Sequence, residues 1–128
     1  MQHSSVSDQE GSSGSRNQFT GDAQVKRLKS PVDGVGPSVI EVTFAPGART
    51  YWHVHPEGQL LLVLDGRAIV ATADGERVVA GPDELVDCPP GERHWHGATR
   101  DAPMTHLSVT TGGPPEWAQE VTEEEYGE

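Results

Sequence analysis

The sequence predicts an all-β protein, an antiparallel sandwich or small barrel, and three observations carry that prediction. From residue 38 onward apolar and polar residues alternate with period two in short runs, the spacing of half-buried strands rather than helices. Gly, Pro and Asp punctuate these runs, as in Pro46-Gly47, Asp65-Gly66 and Pro89-Pro90-Gly91, which is turn chemistry. No convincing long helix interrupts the middle of the chain, so nothing suggests strands and helices in alternation.

Taken in order, SVIEVTF (38–44) reads as a strand ended by Pro46-Gly47, and RTYWHVH (49–55) as a second ended by Pro56. QLLLVLDG (59–66) is a nearly continuous apolar run, as expected for a strand buried on both faces. RAIVATA (67–73), Asp74-Gly75 and ERVVA (76–80) read as a hairpin, because Asp-Gly suits the two positive-φ positions of a type I′ turn. ELVDC (84–88), RHWHGA (93–98) and MTHLSVT (104–110) bring the count to at least eight strands. A helical turn or two is expected only near the end, among Pro115, the glutamates and Gly127, where Trp117 and Val121 stand four apart.

At 128 residues the chain is one domain's worth. Residues 1–17 are poor in apolar residues and rich in Ser, Gly and Gln, which predicts a disordered arm before a barrel over 18–115. The net charge of −11 is unevenly spread, with −6 in residues 116–128, EWAQEVTEEEYGE, an acidic and solvated end. There is no basic patch for nucleic acid, no apolar run of membrane length and no secretory leader pattern, so a soluble, cytoplasmic protein is expected, with neither nucleic acid nor membrane as partner. The single cysteine, Cys88, rules out an internal disulfide framework and reads as a packing residue rather than a nucleophile.

The histidines carry the functional signal. Residues i and i+2 of a strand share a face, so His53 projects with His55, and His94 with His96. His106 follows on the next strand, which gives five of the six histidines to three strands. Solvated polar faces mix Lys, Glu and Thr, whereas these pairs sit among Trp, Tyr and Val between Gly and Pro turns. Neutral imidazole is the commonest protein ligand for first-row divalent metals, and a metal site is the better reading.

The spacing resembles the two motifs of the cupin superfamily. Gly47, His53, His55, Gln59 and Gly66 match the first, G-x5-H-x-H-x3-E-x6-G, with Gln where Glu is usual, and Pro89, Gly91 and His94 match the end of the second, P-x-G-x2-H. The resemblance implies a cupin-type jelly-roll barrel holding one divalent transition metal on His53, His55, Gln59 and His94. Manganese is the first choice, with iron, cobalt, nickel or zinc as alternatives. A narrower likeness, carried by PGART, PPGERHWHGAT, MTH and the terminal VTEEEY, is to single-domain bacterial cupins related to carboxymuconolactone decarboxylase-associated proteins. That group includes manganese-dependent hydroxynitrile lyases, which share the Gln and a histidine matching His106. The chain departs from it at Asp83-Glu84, where Gly-Asp is usual, and at Tyr51, which adds bulk beside the expected site. A homodimer is implied as well, since cupin barrels commonly pair through their sheets.

An amide in place of a ligand carboxylate leaves the metal its full charge, which suits Lewis-acid chemistry and requires a base from elsewhere. His106 is the first candidate for that catalytic role, and His96 either shares it or orients a ligand. Parity places Ile40, Val42 and Phe44 on one face of their strand and Ser108 and Thr110 with His106, but leaves open which face of 38–44 points inward. With Tyr51 they form the expected substrate pocket, suited to a small carbonyl-bearing molecule. The expected function is a metal-dependent lyase, isomerase or cyclase of small-molecule metabolism, such as a step in bacterial specialised metabolism. The alternatives are a metal-dependent cupin dioxygenase and a non-catalytic ligand-binding cupin.

Overall fold

The alternating runs fold into two antiparallel sheets in a computed structural model that describes all 128 residues. One sheet is built from β1 (Ser12–Ser13), β3 (Ala23–Lys29), β4 (Ser38–Phe44), β7 (Gln59–Asp65), β10 (Leu85–Cys88) and β12 (Met104–Thr110), in the spatial order β1-β3-β4-β12-β7-β10. The other holds β2 (Phe19–Thr20), β5 (Arg49–Thr50), β6 (His53–Val54), β11 (His94–Ala98) and β13 (Glu116–Trp117), with β8 (Ala68–Thr72) on β11 and β9 (Arg77–Ala80) on β8. Together they make a jelly-roll barrel, whose interior at one end is filled by Phe19, Val42, Phe44, Val63 and Met104. The histidines face the same interior.

Several expectations need correction. Residues 1–17 are not a featureless arm: Ser12 and Ser13 pair with Val25 and Gln24 of β3, and the Gly14 amide donates to Ala23. Backbone hydrogen bonds to a sheet edge hold this segment, and they need no apolar side chains. The run 49–55 is split into β5 and β6, because the Trp52 amide leaves β11 and donates to Gln119 of the returning C-terminus. Strand β7 is buried on one face only, since Leu60 and Leu64 are each 39% exposed while Leu61 and Val63 are fully buried. The β8–β9 connection is not a type I′ turn. Gly75 alone takes positive φ, and the Asp74 carboxylate instead accepts a hydrogen bond from Thr72 Oγ1.

The helical turn expected near the chain end forms among the glutamates, where a capping box dictates it. Thr122 caps α1 (Glu123–Tyr126), Glu125 returns the bond to the Thr122 amide, and Gly127 ends the helix in the left-handed conformation. This acidic segment is not simply solvated. Val121 and Tyr126 are fully buried against Trp52, Ile69, Ala71 and Trp95 on the outer face of the second sheet. Asp83, which stands where related motifs have Gly, adopts a φ of 68°, a conformation that Asp tolerates better than most residues.

Candidate metal centre

Two short strands and one longer one bring the imidazoles together. His53 on β6 pairs directly with His94 on β11, and parity carries His96 along the same inward face. His55 directly follows β6, while Gln59 opens β7 and His106 lies on β12, beside Val42 of β4 and Val63 of β7. A bulge in β7 at Leu64 resets the register between Thr105 and His106, as bulges beside functional sites often do. All six of these residues are buried.

One ring nitrogen from each of His53, His94 and His96 falls within 4.8 Å of the others. Ring centroids place His55 5.1 Å from His53 and 6.0 Å from His94. Second partners fix the ring orientations. His53 Nδ1 meets the Tyr51 carbonyl at 2.8 Å and His94 Nδ1 meets the Glu92 carbonyl at 3.1 Å; with the proton on each Nδ1, each Nε2 keeps its lone pair.

Gln59 supplies the most telling contact. Its Nε2 donates to Ser108 Oγ at 2.7 Å, which turns Oε1 toward His94 Nε2 at 2.8 Å. In the Nδ1–H tautomer of His94 two acceptors face each other, an arrangement that a cation between or beside them reconciles. His55 Nδ1 is buried without any partner. Burial, reinforced by neighbouring histidines, pushes the pKa of His53 down to about 3 and that of His55 to about 4, and burial also lowers His94. The donors are therefore neutral imidazoles at neutral pH, the form that binds metals, and the residues fit a divalent metal ion.

His96 and His106 form a second unit, with His96 Nδ1 and His106 Nε2 3.0 Å apart. His106 Nδ1 is buried and unpartnered. Burial lowers both, His106 to about 4 and His96 well below its ordinary value, with His106 adding to the latter. His96 thus serves either unit by position, since it is also one of the three clustered imidazoles.

His53, His55, Gln59, His96 and His106, though not His94, line a cavity of about 850 Å³. Ile40, Val42, Ser108 and Thr110 line it, which settles the inward face of β4; Phe44 and Tyr51 do not. Phe44 packs beneath the site, its ring 5.3 Å from that of His106 and 5.9 Å from that of His96. Tyr51 turns away and donates its hydroxyl proton to the Arg16 carbonyl. The sequence reading missed Arg27, Trp117 and Ser12 to Ser15 in the cavity wall. Trp117 tilts over His53 at 4.7 Å between centroids, a contact made by the β13–β6 pairing. Cys88 is buried against Leu61 and Val70, and burial pushes its thiol up to about 12, the state of an inert packing residue.

Fold and site together define a jelly-roll barrel built around a buried histidine cluster that could hold a metal. The chain belongs to the cupin superfamily: the Cupin_2 family, described as a cupin domain, matches residues 40–110. It is 36% identical over 129 residues to (R)-mandelonitrile lyase of Granulicella tundricola, with 98% of each chain covered. Among solved structures, a cupin-like protein from Thermotoga maritima superposes with a TM-score of 0.87 at 42% identity, over 91% of this chain and 90% of that one. A polyketide cyclase from Streptomyces resistomycificus shares the fold, with a TM-score of 0.79 at 21% identity over 98% of this chain and 90% of the other. No helix is long and apolar enough to cross a membrane.

Proposed function

We propose that this chain is a metal-dependent lyase that makes or breaks a bond beside the hydroxyl-bearing or carbonyl carbon of a small molecule. The reading is carried by the Gln59–His94 contact, in which two acceptors are held face to face by partners on their far sides. His53 and His94 are common to the two donor sets that the geometry offers. Gln59, with its fixed oxygen, and His55, with its unpartnered nitrogen, complete the set we assign. With every donor neutral, a bound divalent ion, manganese by first choice, supplies Lewis-acid stabilisation to a substrate oxygen gaining negative charge.

The chain supplies the proton chemistry. With His106 donating its Nε2 proton to His96 Nδ1, His106 Nδ1 keeps a lone pair that nothing in the fold engages. In the cleavage direction it takes the hydroxyl proton, the bonding pair leaves with the departing carbon, and the same proton completes the leaving group. Burial, which lowers His106 to about 4, keeps it neutral at neutral pH, the form that accepts a proton. Trp117, Ile40 and Val42 wall the cavity with apolar surface that limits water around the reacting carbon. The similarity to (R)-mandelonitrile lyase supports a cyanohydrin as the first probe.

The test is cyanide release from mandelonitrile by protein loaded in turn with Mn, Fe, Co, Ni or Zn. His94→Ala and His55→Ala are expected to lose both metal and turnover, whereas His106→Gln keeps its metal and slows about 10²- to 10⁴-fold. Cyanide release that survives chelation and His94→Ala would sink the proposal. Oxygen uptake coupled to turnover would favour the dioxygenase alternative.

A further inference from the structure

The cavity wall contains a single permanently charged side chain. No Asp or Glu lines it and its one cation is Arg27, in a chain with 20 acidic and 9 basic residues. Glu57 packs against Gly112 of the rim but is not part of the lining. The strand explains why one cation alone lies on the cavity side, where Arg27 lines the cavity while remaining exposed to solvent. Lys26 pairs with Glu41 on the outer face of β3, and a bulge between Arg27 and Lys29 sets Lys29 opposite Val39, which shares the parity of Glu41. Arg27 pairs with Ile40, and Ile40 with Ser108, the residue that holds the Gln59 amide. One inward row thus runs from the guanidinium, across an apolar residue, to the edge of the histidine cluster.

Arg27 is also the arginine that the fold leaves free. Arg16, Arg49, Arg67, Arg77 and Arg100 form ion pairs and Arg93 donates to Gln119. Arg27 makes no ion pair and no side-chain hydrogen bond with the protein, so its planar fork of donors is open to whatever enters. A net charge of −11 repels small anions at long range. A cation facing a carboxylate-free cavity reverses that preference locally.

We propose that Arg27 determines substrate specificity and that the substrate is a small organic carboxylate, its anionic end on Arg27 and its hydroxyl or carbonyl end at the histidine cluster. This rests on the reading of the cavity as the substrate site. Two strand spacings separate Arg27 from Ser108, about 10 Å between backbones, so the carboxylate lies several bonds from the reacting carbon. A distal acid fits that span better than a 2-hydroxy acid.

The probes are 4-carboxybenzaldehyde and benzaldehyde, titrated by calorimetry into metal-loaded and chelator-treated protein. The acid is expected to bind at least about tenfold more tightly than benzaldehyde, the scale of a charge-assisted hydrogen-bonded pair. Arg27→Gln should abolish the preference without weakening benzaldehyde binding, and Arg27→Lys should restore part of it. The melting temperature of Arg27→Gln should match wild type, because no internal partner is lost. Equal affinity for the two probes, an undiminished preference in Arg27→Gln, or no binding of either overturns the proposal. The cyanide-release assay keeps the two readings apart: an Arg27-dependent preference without cyanide release from mandelonitrile defeats the lyase reading alone, and cyanide release without the preference defeats this one alone.

Discussion

Gln59 is held from both sides, its Nε2 by Ser108 and its Oε1 against His94, and that rigidity keeps a weak neutral donor in place. The imidazoles around it are neutral for a different reason, their burial, and this has a cost that pH exposes. A histidine whose folded pKa is lowered binds fewer protons folded than unfolded, so stability is full above about pH 6.5 and falls as the pH drops toward the folded values. For His53, His55 and His106 those values are about 3, 4 and 4, which puts the loss between about pH 6.5 and 4 for His55 and His106 and extends it to about pH 3 for His53. Each contributes up to about 1.4 kcal/mol per pH unit in that window. Urea unfolding of chelator-treated protein at pH 7.5, 6.5, 5.5 and 4.5 measures it directly. Constant stability from pH 7 to 5 contradicts this account of the cluster.

At the scale of elements, the C-terminal segment does more for the barrel than its glutamates suggest. Tyr126 donates to the Ala98 carbonyl at 2.7 Å, stacks beneath the buried Arg49 guanidinium at 4.4 Å and packs on Trp95. Arg49 in turn reaches the Val121 carbonyl and Glu123. The segment thereby braces β11, the strand of His94 and His96, from its outer face. Tyr126→Ala is expected to cost about 3–5 kcal/mol and Tyr126→Phe only about 1 kcal/mol, read from thermal or chemical unfolding. Elements of this kind mark the limit of what could be read from the chain. Period two revealed the long strands and the shared face of each histidine pair, because both follow from local geometry. The capping box Thr122–Glu125 is equally local and fixes the terminal turn among the glutamates, ahead of Gly127. Pairing of Ser12 and Ser13 on β3, and of Trp117 beside His53, leaves no local pattern, since which distant strand lies next to which is decided by topology. For that reason the imidazoles were legible and the cavity wall from Arg27, Trp117 and the N-terminal serines was not.

The whole molecule treats its two sheets unequally. The C-terminal segment covers the outer face of the second sheet, burying Trp52, Ile69 and Trp95. Nothing covers the first sheet, where Leu60, Leu64 and Leu85 are 39, 39 and 60% exposed. Leu62 joins them, flanked across the strands by Leu85 on one side and Leu107 on the other. The near-continuous apolar sequence of β7 is thus accounted for on its inner face by the core and left unexplained on its outer face in a single chain. Contiguous exposed apolar surface of this kind marks an association site, and a two-fold pairing of like faces is the simplest closed solution. The expected state is a homodimer joined through the outer face of β7, β10 and β12. Light scattering should give twice the mass of one chain, and Leu62→Asp should halve it by placing an unpaired charge in the middle of the buried patch. The substitution stands on the outer face, so the metal content of the variant should remain that of wild type. A wild-type protein that is monomeric at micromolar concentration, or a Leu62→Asp variant that stays dimeric, contradicts this assignment of the face.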